Sequence, residues 1–283
     1  MRLTIIALLA IAGSAYAETP TDRAKALVTS QLAAVTKNDD KAFQATFTAD
    51  AHLDSYWNNG PLSTAPSGYV RDPFMNGSPH SEFKKIKLDK IVAGGDANVV
   101  WLTADVSTTF AEHEPEQDNN RSNRVEKKRL TELIVLDGST WKAVAATLTV
   151  PEATHGSTSA DHSTLKDATK PGPLAPLAAS PTELIKKLSS DKNVFVLGTD
   201  TAERAIGPAA AKKLLGKWTK LKMTIDEKSV REVETKTYGF AEVTVTYSTT
   251  KKDETLYYDM TALILAVPNG SDWSVVGIHY RAN

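Results

Sequence analysis

Asp200 and Glu203, three residues apart in Gly198-Thr199-Asp200-Thr201-Ala202-Glu203, are the side chains best placed to move a proton. One carboxylate can act as general base while its neighbour shifts its pKa. An Asp at such a turn can equally accept backbone N–H bonds as a cap, and that structural use is the expectation. His279 stands near the chain's end in Val275-Val276-Gly277-Ile278-His279-Tyr280. Strict alternation groups it with Val275 and Gly277, opposite Val276, Ile278 and Tyr280. It could serve a pocket as acid or base, though a packed or rim histidine is expected. Tyr247 shares a face with Ala241, Val243 and Val245, so it points inward and can donate to a ligand oxygen. Trp218, His52 and Tyr56 complete the candidate ligand contacts. His52, Asp54, Tyr56 and Trp57 all gather near the end of the first expected strand.

Other chemistries lack their residues. The chain has no Cys, so it has no disulfide, thiolate nucleophile or Cys-ligated metal. His155 with His162, and the run Glu112-His113-Glu114-Pro115-Glu116 with Asp118, match no recognised metal spacing and read as solvated loops. No metal and no cofactor is expected. Gly-x-Ser-x-Gly, a phosphate-binding Gly loop, His-Glu-x-x-His and a dinucleotide fingerprint are missing.

Two sets of elements must position these residues. Ala24, Leu27, Val28, Gln31, Leu32 and Val35 follow helical spacing. Asn38-Asp39-Asp40 ends that helix and caps a second one, in which Phe43 and Phe47 lie a turn apart. In the other half Ser180-Pro181-Thr182-Glu183 has the form of a capping box, opening a helix that buries Leu184, Ile185 and Leu188. Gly207-Pro208 opens another, running through Leu214 to Trp218. Strands follow in both halves. Val99 to Phe110 resembles Phe240 to Thr250, and Leu130 to Val150 parallels Met260 to Arg281, with Trp141 answering Trp273 after a Gly-containing turn. That matched order indicates a duplication, each copy α+β with helices before antiparallel strands. Between the copies, residues 151–179 carry Pro151, Pro171, Pro173 and Pro176 among small polar residues, and read as a linker.

The first residues are read as a leader. Met1-Arg2 is positive, Leu3 to Ala12 is almost wholly apolar, and Ala15-Tyr16-Ala17 offers a small-x-small cleavage pattern. About ten apolar residues fall short of the roughly twenty that span a bilayer. The organisation expected is a signal peptide over 1–17, domains over 18–150 and 180–283, and a periplasmic or secreted mature protein without a membrane anchor. Removing Arg2 from the 33 basic residues leaves 32 against 34 acidic, a net charge of −2, which suits neither nucleic acid nor anionic lipid.

Val194 to Gly207 (VFVLGTDTAERAIG), with the following helix to Trp218 and the closing WSVVGIHYR, resembles the SnoaL-like branch of the nuclear transport factor 2-like superfamily. The opening from Val28 to Asp54 is similar in pattern, whereas residues 56–79 have no counterpart of the Gly-Thr-Asp-x-x-Glu turn. The resemblance implies two consecutive cone-shaped domains, each a curved antiparallel sheet wrapped around helices with a pocket at the open end. It also places Asp54 near the catalytic carboxylate of ketosteroid-isomerase-like enzymes. Members include isomerases, cyclases and dehydratases as well as non-catalytic binding modules, so fold does not assign function. The reading favoured is a non-catalytic module that binds a small, largely apolar molecule or serves interaction. The alternative is an isomerase, cyclase or dehydratase transferring protons through Asp200, Glu203, His279 or Asp54. Single domains of this family commonly pair through their sheets, so two on one chain are expected to pair internally and leave a monomer. N-terminal sequencing of the mature protein should return Glu18 as the first residue; a chain beginning at Met1 would remove the export reading.

Overall fold

The computed structural model describes residues 18–55, 58–61, 81–112, 123–151, 168–251 and 254–282. Helix α1 (Pro20–Thr36) begins at a reciprocal cap, in which the Thr19 hydroxyl accepts from Asp22 N and the Asp22 carboxylate accepts from Thr19 N. Its buried stripe is Ala24, Leu27, Val28, Leu32 and Val35. Asn38 turns the chain with a φ of 58°, and Asp39 caps α2 (Asp40–Gln44) through a bond from Ala42 N at 2.9 Å. Phe47 does not continue that helix. Thr46 closes it, placing both its backbone N–H and its hydroxyl on the Phe43 carbonyl, and Phe47 opens strand β1 (Phe47–Ser55) with its ring 5.3 Å from that of Phe43.

The first sheet adds β2 (Asn58–Pro61), β3 (Ser81–Gly95), β4 (Val99–Glu112), β5 (Asn123–Asp137) and β6 (Thr140–Thr149), in the order β2-β1-β6-β5-β4-β3. After helix α3 (Pro181–Lys187) the second half supplies β7 (Phe195–Leu197), β8 (Arg204–Ile206), helix α4 (Pro208–Trp218), β9 (Lys222–Ile225), β10 (Arg231–Glu234), β11 (Gly239–Lys251), β12 (Glu254–Asn269) and β13 (Asp272–Ala282). Their order, β10-β11-β12-β13-β7-β8, is the first order repeated, with β9 an extra partner of β11. The architecture is α+β with two curved sheets. Among the described strands, the joins that depart from an antiparallel sheet are β1 parallel to β6 and β7 parallel to β13.

Bulges bend the strands, and they fall at matching places. The register shifts between Leu133 and Ile134 in β5 opposite β6, and between Leu265 and Ala266 in β12 opposite β13. Each shift leaves one extra residue, Val144 or Val276, in the last strand. This overturns the strict alternation expected for β13. Val276 faces the same way as His279, while Val275 joins Ile278 and Tyr280 inside the cone.

Two further expectations change. Ser180 precedes α3 without a side-chain cap, and the Glu183 carboxylate of the expected box accepts from Lys186 at 2.7 Å instead. The Pro-rich seam also ends well before Ala179. Leu174, Ala175 and Ala178 are buried in the second core, and the Glu232 carboxylate accepts the backbone N–H groups of Gly172, Leu174 and Ala175 at 2.7–3.0 Å. A buried segment without regular pairing needs such a partner for its donors. His155 and His162 lie outside the described residues.

The convex faces of the two sheets pack together. Val99, Trp101, Leu133 and Val144 of the first meet Phe195, Phe240, Leu265 and Val276 of the second in one apolar layer. Leu133 and Leu265, like Val144 and Val276, occupy equivalent places beside the paired bulges. Gly277 matters here, because a Cβ on it would collide with the Phe195 ring. Trp141 and Trp273 are half-buried against the first and second cores respectively; Arg23 lies over the Trp141 ring, and Trp273 Nε1 donates to Glu234 at 3.1 Å.

Inside the first cone, Glu132 is fully buried and accepts a 2.8 Å bond from Gln31 Nε2. Burial outweighs that bond and pushes the carboxyl up to about 8, so it is protonated at neutral pH. Glu132 Oε2 and Gln31 Oε1 are both buried without a hydrogen-bond partner. A protonated Oε2 is a donor, whereas Gln31 Oε1 is an acceptor without one. Because the folded pKa lies above the unfolded value, this group's contribution is complete below pH ~4.5 and declines until about pH 8. Chemical denaturation across that window should show stability falling as pH rises. Glu132→Gln, which keeps an amide pair and removes the proton, should flatten that part of the profile; an unchanged slope would place the titration elsewhere.

Candidate functional site

A cavity of about 460 Å³ opens in the second domain, at the end of the cone where β11 finishes and β12 begins. Trp218, Tyr247, Tyr280, Met223 and Met260 form its apolar and aromatic walls, and the turn from Gly198 to Glu203 forms its polar side. The sequence places Trp218 here because α4 ends on it, with Leu214 and Leu215 buried behind. Tyr247 arrives through the inward face of β11, which it shares with Ala241, Val243 and Val245. Its ring stacks on Tyr258 with centroids 4.8 Å apart. Burial, then the neighbouring Tyr258 and Glu203, push the Tyr247 hydroxyl up from its ordinary range, so it stays a neutral donor. Tyr280 meets Trp218 edge to face at 5.4 Å and spends its hydroxyl on the Ala178 carbonyl at 2.7 Å; burial raises its pKa further still.

The turn between β7 and β8 is built by its own bonds. Gly198 N donates to Glu203 O at 2.8 Å, and Glu203 N donates to Asp200 O at 3.1 Å. Asp200 Oδ1 accepts from Ala202 N at 2.7 Å and from the Thr201 hydroxyl at 3.3 Å. That carboxylate is used as a cap. Glu203 folds back over Gly198, where any Cβ would strike its carboxylate, and accepts a long 3.5 Å bond from Asp200 N. The spacing that offers a general base with an acidic neighbour is therefore a self-capped turn whose carboxylates border a cavity with aromatic walls.

Other candidate residues lie elsewhere. His279 is not on the cavity wall. The packing of the sheets places it at the interface, where Nδ1 meets the Thr131 hydroxyl at 2.9 Å and Nε2 meets the Thr149 hydroxyl at 3.2 Å. Burial, with Arg129, Arg281 and Arg204 nearby, holds it well below the usual imidazole range, so it is neutral. His52 also reaches the interface, with Arg231 on Nδ1 and Glu242 on Nε2. Arg cannot accept, so Nδ1 is the acceptor and Nε2 carries the proton facing Glu242. Neither ring has a nitrogen left for a ligand in the cavity. Asp54 is described as a backbone position in β1, opposite Asn59 and Thr147. Tyr56 and Trp57 lie outside the described residues, as does most of the acidic run after Glu112. Among the described residues, no cluster of three or more His, Asp or Glu could hold a metal ion.

Sequence reasoning missed Met223, Met260 and Tyr280 as cavity walls. Tyr280 carried a signal in its alternation with His279, but Met223 is on a four-residue strand too short to show a period.

No family model matches the chain, and no curated protein sequence does either. Among solved structures the chain is similar to a nuclear transport factor 2-like superfamily protein from Salmonella enterica, at 14% identity and a TM-score of 0.37, covering 48% of this chain and 94% of that one. A ketosteroid isomerase-like protein from Erwinia carotovora atroseptica is similar at 13% identity and a TM-score of 0.32, over 45% and 93%. A nuclear transport factor 2-like protein from Cytophaga hutchinsonii is similar at 13% and 0.32, over 46% and 96%.

The position of His279 makes a prediction about acid. Its folded pKa is depressed, so its contribution to stability is present above the unfolded value and is lost as pH falls. Unfolding free energy should drop from about pH 6.5 downwards. His279→Gln should remove part of that drop while keeping a bond to a threonine. Identical acid profiles for both proteins would show that His279 is not the group responsible.

Proposed function

We propose that this protein is an exported, tandem nuclear transport factor 2-like binding protein whose second domain holds a small, largely apolar molecule. The observation that carries this reading is the second-domain cavity, with Trp218, Tyr247 and Tyr280 on one side and the Gly198–Glu203 turn on the other. About 460 Å³ lies in the range of small-ligand pockets, and aromatic walls supply the apolar contact such a ligand needs. Asp200 and Glu203 would meet its hydrogen-bond-donating end. The non-catalytic form of the reading is supported by the use of Asp200 as a cap, which leaves it holding the turn, and by His279 being buried away from the cavity. The leader over 1–17 supports export, and the internal packing of the two sheets supports a monomer in solution.

A neutral aromatic dye, N-phenyl-1-naphthylamine, tests the cavity. Fluorescence titration should give saturable binding to the mature protein, and Trp218→Ala should weaken it roughly tenfold or more, on the scale of losing one large aromatic contact. Saturable binding that survives Trp218→Ala unchanged would put the dye elsewhere and remove the assignment.

A further inference from the structure

The cavity turn is not held by its own domain alone. Its first residue, Gly198, accepts a 3.3 Å bond at its carbonyl from Nη1 of Arg129, which stands on β5 of the first sheet. Just past its last residue, Arg204 forms an ion pair with Asp105 on β4 of the first sheet. Asp105 and Arg129 are directly opposed partners on neighbouring strands, so one cross-strand pair on one domain grips both ends of a turn on the other. Arg129 is almost wholly buried; burial and the nearby Arg204 press against its charge, and Asp105, Asp200 and Glu203 offset part of that. The strands β7 and β8 are three residues each, too short to fix a six-residue turn firmly by themselves.

The geometry points to Arg129 and Asp105 of the first domain as positioning residues for the second domain's ligand cavity, which makes the two domains one binding unit. The inference rests on the reading of that cavity as a ligand site. Neither residue touches the cavity. They act by holding Gly198 and Arg204, and through them the Asp200 and Glu203 carboxylates, at a set distance from Trp218 and Tyr247. A turn fixed before the ligand arrives loses less freedom on binding, so its affinity is higher. Ligand in the cavity and contact between the sheets should accordingly strengthen each other.

The test uses the full mature chain and the same dye. Arg129→Met and Asp105→Asn each remove one end of the grip, and each should weaken dye binding about three- to tenfold, the scale of a lost preorganising contact. Thr149→Val serves as the comparison; it removes a His279 bond at the same interface but does not reach the turn, and it should leave the affinity unchanged. Circular dichroism and light scattering establish that every variant is folded and of the same mass. Should either grip variant unfold, Arg129→Lys, which keeps the charge and loses the forked donor, takes its place with the same expected direction. Wild-type affinity in the grip variants, with Trp218→Ala still impaired, overturns the grip and leaves the cavity reading intact. Equal losses in Thr149→Val and the grip variants also overturn it, since any loosening of the interface would then suffice. Absence of saturable binding in the wild-type protein removes the cavity reading itself, and the grip with it.

Discussion

Two curved sheets, each with an apolar convex face, cover those faces with each other. That single packing layer, from Trp101 and Leu133 to Phe195 and Leu265, settles the environment of His52, His279 and Arg129. A sheet wrapped around helices buries its concave side within its own domain but leaves the other side to water or to a partner. Here the partner is the second half of the same chain, and residues beside both bulges, Leu133 with Val144 and Leu265 with Val276, belong to the one layer. Polar side chains drawn into such a layer must find partners within it. His52 finds Arg231 and Glu242, His279 finds Thr131 and Thr149, and Arg129 finds Gly198.

The same constraint separates the two cones chemically. Ile264 stands in the second domain at the position that Glu132 holds in the first, counted from the paired bulges. One interior is apolar there. The other holds a carboxyl that Gln31 stabilises only in part and that burial keeps protonated. Both of these buried protonation states, the neutral Glu132 and the neutral His279, follow from desolvation before any specific partner. They set opposite slopes: Glu132 costs stability as pH rises and His279 as pH falls.

In the cavity, position rather than residue type decides what a group can do. Asp200 and Glu203 have the spacing of an acid–base pair, yet their first obligation is the backbone of a sharp turn between two very short strands. A carboxylate that caps a turn is poorly free to follow a reacting atom. It remains beside the cavity, where its free edge borders the aromatic walls.

Much of this fold is legible in the chain itself. The stripe from Ala24 to Val35, the cap at Asp39, the inward face of β11 and the recurrence of Trp141 as Trp273 are local patterns, and local patterns depend on near neighbours that sequence order supplies. The Asp200 cap is legible for the same reason, because its partner Ala202 is two residues away. The placement of His279 is not. The extra residue Val276 exchanges the faces of Val275 and Val276 but leaves His279 opposite Ile278 and Tyr280, and which of those faces meets the other sheet shows only when that sheet is in place. The role of Arg129 is more distant still. Its hydrogen bond to Gly198 spans 69 residues, and nothing near either residue announces the other. Sequence alone determined most of the elements, their matching order in the two halves and the turn that borders the cavity. Which face of each strand meets the other domain, and so which histidines are spent on packing, was decided only when two apolar sheets had to exclude water together.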